Sequence, residues 1–127
     1  MREIKFRVWD NIAKKYIDSR YVSISGLGLL HVAKRIIKNC FRPPHTRKNP
    51  WFIVEQFTGL RDKNGTEIYE GDILIDDTGE PIERWVVKFS DGGFVGECAG
   101  VAEPLFELAN LEVVGNIHEN SELVEEK

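Results

Sequence analysis

The sequence has only two cysteines, Cys40 and Cys98. In a reducing compartment both are expected to be free thiols. It has no long apolar run. The longest, Gly26-Leu27-Gly28-Leu29-Leu30, is followed at once by His31. A helical membrane span needs about 20 apolar residues, so no membrane partner is expected. The opening MREIKFRVWDN is charged throughout and lacks the apolar centre of a secretion signal. The expected location is therefore the cytoplasm.

Several chemical signatures are missing as well. There is no GxxxxGK[ST] phosphate loop, and Gly26-Leu27-Gly28 lacks the strand-helix-strand setting of a dinucleotide site. His31, His45 and His118 stand far apart, with no second ligand at metal spacing. Asp76, Asp77 and Glu80 lack the pattern of a calcium loop and read as a solvated hairpin tip. No GxSxG elbow marks a nucleophile. No catalytic, metal or cofactor-binding residue is assigned, and no cofactor is expected.

What is present describes a globular protein. The 127 residues are 42% hydrophobic and 30% charged. One domain of this length buries roughly two-thirds of its unfolded surface, so neither metal nor disulfide is needed for a core. A single domain over 1–127 is expected, with no internal repeat.

The net charge of −4 hides a division. Residues 1–50 hold 12 Lys/Arg and 3 Asp/Glu, a net +9, while residues 51–127 hold 5 and 18, a net −13. Such a split reads either as a basic surface for nucleic acid or as basic and acidic faces that meet, within one subunit or between subunits.

Period-two alternation marks most elements as strands. Ile4, Phe6 and Val8 alternate with Lys5, Arg7 and Trp9, and Asp10-Asn11 turns the chain toward Tyr16-Ile17. Further strands are expected over 51–58, 72–76, 82–89, 94–97 and 111–117, with a bulge or bend at Gly115. One stretch differs. Leu29, Leu30, Ala33, Ile36, Ile37, Cys40 and Phe41 recur at three- and four-residue steps, which predicts an amphipathic helix over 28–41. Pro43-Pro44 would end it, before a basic loop over 42–50. The expected fold is mainly β: a strongly bent antiparallel sheet or open small barrel, with one inserted amphipathic helix.

The run QFTGLRDKNGTEIYEGDIL, 56–74, is the densest in signals. Asn64-Gly65 favours a tight turn of the primed type. Gly59, Gly65 and Gly71 fall at six-residue steps, where the chain would bend. Glu55, Glu67, Glu70 and Asp72 invite a catalytic reading, in which converging acids would split their pKa values. The simpler reading makes Gly71 a corner and Asp72 an acceptor of backbone N–H groups.

Four segments, REIKFRVWD, EQFTGLRDKNGTEIYEGDIL, WVVKFSDGGF and LEVVGNIHEN, resemble the YopX family of phage and prophage proteins, in the expected order. The resemblance implies a mainly β fold, a phage or prophage origin and action in the bacterial cytoplasm. It implies no activity and no site residue. Residues 19–50 match no motif of the family and read as a variable basic insert.

The leading expectation is a non-enzymatic phage accessory protein that works through protein contacts, either with itself as a homo-oligomer or with a host or phage protein. The first alternative is DNA or RNA binding through Lys34, Arg35, Lys38, Arg42, Arg47 and Lys48. The second is an enzyme that uses the acids near Glu70 and Asp72. Gly59, Asn64, Gly65, Gly71 and Asp72 are assigned structural turn roles.

Overall fold

Twelve strands occur among the residues described by the structure, a computed structural model that describes 3–18, 22–24, 30–32, 35–37 and 52–124. The chain divides into two compact units, Lys5–Glu55 and the combination of Met1–Ile4 with Gln56–Lys127.

The Lys5–Glu55 unit opens with a hairpin. Strand β1 (Phe6–Asp10) pairs antiparallel with β2 (Lys15–Tyr16), with Trp9 opposite Tyr16. Asp10 makes the turn: its Oδ1 accepts the N–H groups of Ile12 and Ala13. Val8 and Trp9 are both buried although adjacent side chains leave opposite faces of a strand, so both faces of β1 are covered. In hydrogen-bonding order this sheet runs β2-β1-β6, where β6 is Phe52–Arg61.

The same unit contains β3 (Val22–Ile24), β4 (Leu30–Val32) and β5 (Arg35–Ile37) as a second antiparallel sheet. His31 pairs with Ser23 on one side and Ile36 on the other. This corrects the helix expected over 28–41, because its described residues are strands. Leu30, Ile36 and Ile37 satisfy a helical stripe and a pair of short strands equally well. Val32, Ile36 and Ile37 are β-branched and lose rotamer freedom in a helix, which tips the balance to extended chain. The rest of 28–41, and the loop over 42–50, lie outside the described residues.

The larger unit holds the second part of β6, beside β7 (Glu67–Tyr69), and a five-stranded antiparallel sheet. That sheet comprises β8 (Asp72–Asp76), β9 (Glu83–Ser90), β10 (Gly93–Cys98), β11 (Val101–Pro104) and β12 (Glu112–Asn116), in the order β11-β10-β9-β8-β12. Two-residue turns join β9 to β10 and β10 to β11. Asp91-Gly92 and Ala99-Gly100 all have positive φ, as primed hairpin turns require.

The core lies on the face that carries Leu74 and Val113, which pair with each other, and Trp85 and Val87. A 3-10 turn, Leu105–Glu107, lays Leu105 and then Leu108 over this face. Gly96 sits opposite Val87, and its missing side chain is what admits them. A Cβ at 96 would collide with Leu108 Cδ1 and sit 3.4 Å from Trp85 Cβ. The pairing of β12 with β8 slips between Val113 and Gly115, the bulge expected at that glycine.

Candidate functional site

The acids and glycines of 56–74 converge on the backbone. Asp62 follows β6 directly and is 7% exposed. Its Oδ1 accepts the N–H groups of Asn64 at 2.8 Å and Thr66 at 2.9 Å, and its Oδ2 accepts that of Val113 at 2.9 Å. Burial pushes the Asp62 carboxyl pKa up. The three amide donors and the Lys63 charge together outweigh it and hold the pKa below the usual aspartate value.

The turn closed by this carboxylate differs from the expected primed type. Gly65 N–H donates to Asp62 C=O at 3.0 Å and Asp62 N–H to Thr66 C=O at 2.9 Å. Gly65 has φ +83, whereas Asn64 is absent from the positive-φ residues. This is a three-residue loop, a type I turn completed by a left-handed glycine. The Asp62 side chain favours it, since it satisfies the amides that a two-residue turn would leave elsewhere.

The same turn is laced to the end strand of the sheet. Lys63 N–H donates to Leu111 C=O at 3.2 Å, and Asn64 Nδ2 donates to Glu112 Oε1 at 3.1 Å. Lys63 Nζ lies 3.9 Å from Glu112 Oε2. An end strand otherwise presents unpaired backbone groups, and here Asp62 takes one of them.

Glu70, Gly71 and Asp72 form a second junction. Glu70 Oε1 accepts Gln56 N–H at 2.8 Å, and Glu70 N–H donates to Gln56 C=O at 3.0 Å. Asp72 is buried, and its Oδ2 accepts Tyr69 N–H at 2.8 Å. Gly71 has φ +85; its N–H donates to Val87 C=O and its C=O accepts Ile117 N–H, both at 2.9 Å. A side chain there would be strained by the left-handed backbone. Gly59, at φ +88, lies where the β6–β7 register shifts between Phe57 and Arg61. Thr58 Oγ1 donates to Ile68 C=O at 2.7 Å and accepts Leu60 N–H at 3.2 Å across that irregularity.

Each acid of the catalytic reading thus has its own partner. Glu70 and Asp72 cap backbone, and Glu67 Oε2 lies 3.5 Å from Arg61 Nη2 at the surface. Glu55 belongs to the other unit and is 4% exposed. Its Oε1 accepts Arg7 Nε–H and Tyr16 O–H, each at 2.8 Å. Arg7 lies over the Tyr16 ring at 4.5 Å, and Tyr16 meets Trp9 edge-on at 5.0 Å. This part-buried ion pair with its aromatic wall is a chemically loaded cluster among the described residues of the Lys5–Glu55 unit.

A third anchor ends the last strand. Asn116 Oδ1 accepts the N–H groups of His118 and Glu119, and its Nδ2 donates to Glu119 Oε1. Asn120 Oδ1 accepts Asn116 N–H at 3.2 Å over Gly115, where a Cβ would collide with it.

Among the described residues no group of three or more His, Cys, Asp or Glu could hold a metal ion. Of the six basic residues assigned to a nucleic-acid or partner surface, only Arg35 falls within the described chain, in β5. Lys34, Lys38, Arg42, Arg47 and Lys48 lie outside the described residues. Sequence reasoning passed over Asp62, Asn116 and the Arg7–Glu55–Tyr16 cluster. An aspartate three residues before Gly65 was the available signal for Asp62, because Asp is favoured at the first position of a type I turn.

The family model described as YopX protein matches residues 5–125. The crystal structure of protein EF1440 from Enterococcus faecalis is similar, with a TM-score of 0.62 and 25% identity, over 98% of this chain and 100% of that one. No curated protein is similar at a significant level.

Proposed function

The chain belongs to the YopX family, and from that premise we propose that it is a phage or prophage accessory protein, non-enzymatic, acting through protein–protein contacts that include contacts between its own copies. The carrying observation is that the charge division coincides with the structural one. The Lys5–Glu55 unit holds 11 Lys/Arg and 3 Asp/Glu, a net +8, while the rest of the chain holds 6 and 18, a net −12. A molecule with one basic and one acidic unit has a built-in complement in a second copy, and head-to-tail contact neutralises both. The acids that looked most like catalytic groups are engaged by backbone N–H groups, which further supports a non-enzymatic role.

Light scattering at low and high salt tests this reading. Assembly at low salt that weakens as salt rises is expected, since screening acts on exposed charge. A monomer at both salt concentrations removes it. The basic unit favours one second reading, binding of DNA or RNA by Lys34, Arg35 and Lys38. Fluorescence anisotropy with mixed-sequence DNA at about 50 mM salt separates the two, because phosphate contacts dominate at low salt. Loss of binding on changing those three residues to Glu supports the second reading; absence of binding ends it.

A further inference from the structure

Asn64-Gly65 is the most reactive dipeptide of the chain toward spontaneous deamidation, because glycine leaves its own nitrogen sterically open. It sits at an exposed turn tip, and nothing lies within 4 Å of a Cβ built on Gly65. We propose that Asn64 is a latent deamidation site, and that the grip of Asp62 on the turn sets its rate. This goes beyond the proposed function and does not depend on it.

The chemistry needs no cofactor. The Gly65 backbone nitrogen attacks Asn64 Cγ, and a C–N bond forms as Cγ–Nδ2 breaks. The amide proton leaves with the departing nitrogen as ammonia. Water then opens the five-membered imide to aspartate or isoaspartate. The reaction requires Gly65 nitrogen to swing toward Asn64 Cγ.

The fold opposes that swing at three points. Gly65 N–H is held on Asp62 C=O at 3.0 Å. Asp62 Oδ1 holds the N–H groups of Asn64 and Thr66, the residues on either side of Gly65. Asn64 Nδ2, the leaving nitrogen, is held on Glu112 Oε1 at 3.1 Å. Attack therefore requires local opening of the turn, whose free energy comes largely from Asp62.

The consequence is directional. Deamidation replaces a donor that faces Glu112 by a carboxylate. An attraction between the turn and β12 becomes a repulsion, beside Lys63 as the one nearby cation of the described residues that pairs with Glu112. Isoaspartate also adds a backbone carbon to a loop of three residues. The reaction would loosen the strap that holds the end strand.

The test is deamidation at mildly alkaline pH, followed by peptide mass mapping. In the folded wild-type chain, Asn64 is expected to react more slowly than in the denatured chain by about tenfold or more, the factor given by about 1.4 kcal/mol of local opening. Asp62→Ala is expected to remove most of that protection while the circular dichroism of the fold persists. Asn64→Gln is expected to abolish the product at this site. Equal rates in folded and denatured wild-type chain overturn the proposal, as does a folded Asp62→Ala chain that stays as slow as wild type. The folded-versus-denatured comparison stands even where Asp62→Ala does not fold.

Discussion

Asp62 and Val113 are 51 positions apart in the chain, and Asp62 Oδ2 accepts Val113 N–H at 2.9 Å. One short side chain thus joins a tight turn to the last strand of the sheet. Asp62→Ala removes an acceptor used by three amides in part-buried hydrogen bonds. Loss of a buried hydrogen-bond partner strands its donor, so the expected destabilisation is about 2–4 kcal/mol, read from urea unfolding.

The pH profile carries the sign of the same interaction. The folded-state pKa of Asp62 lies below its ordinary value. Its stabilisation is therefore complete above the unfolded aspartate pKa of about 3.9, and is lost as pH falls through the lower folded value. Asp76 is shifted the same way, first by the Thr78 hydroxyl and then by Thr78 N–H, but these bonds lie at the surface and add little. Acid titration of stability should show the wild type losing more than Asp62→Asn below about pH 4.

Ala99 has φ +51 in the turn between β10 and β11, a left-handed conformation that strains a residue with a Cβ. Ala99→Gly and Ala99→Asn are expected to stabilise the chain by about 0.5–1 kcal/mol, seen as a rise in Tm. An unchanged or lowered Tm for both would show that the hairpin carries no such strain.

Glu55 is 4% exposed and holds both Arg7 and Tyr16. A double-mutant cycle on Arg7 and Glu55 should return a coupling above the roughly 1 kcal/mol typical of surface pairs. Tyr16→Phe should cost about 1 kcal/mol, one hydrogen bond. Coupling near zero would place this pair with ordinary surface ion pairs.

Gly115→Ala would drive a Cβ into Asn120, whose Oδ1 accepts Asn116 N–H. The expected loss is about 1–3 kcal/mol in chemical denaturation, with faster hydrogen exchange at Asn116.

How much of this was legible can be judged residue by residue. The bounds of β8, Asp72–Asp76, are legible because Gly71 before it and Asp77-Thr78-Gly79 after it are turn signals. β3 and β11 leave no such mark, being three and four residues long, too short to show a period. The helix over 28–41 failed for a different reason. Leu30, Ile36 and Ile37 fit both periods, and the pairing of β4 with β3 and β5, which the local pattern does not show, adds to the β-branched preference for strand. The mainly β class survived, since most other elements alternate with period two.

The site shows the same division. Gly71 and Asp72 were legible as a corner, because their chemistry is local: Asp72 reaches Tyr69 three residues away. Asp62 was not, since its partner Val113 is distant in sequence. The Arg7–Glu55 pair spans 48 positions and left no mark in either segment. Local turn chemistry reads directly from residue types, while long-range acceptors wait for the topology.

The strand order β11-β10-β9-β8-β12 has a further consequence for how the sheet is made. Four of its strands follow one another in the chain and zip by successive hairpins. The fifth, β12, must return past three of them to reach β8, pairing Asn116 with Asp72. Such a contact closes a long loop and forms late. During synthesis the meander through β11 can assemble while β12 is still unmade. Until then the edge of β8 lies open, and Asp62 holds its turn amides with one carboxylate oxygen still waiting. Strand β12 is thus a latch, fastened after the meander that it closes.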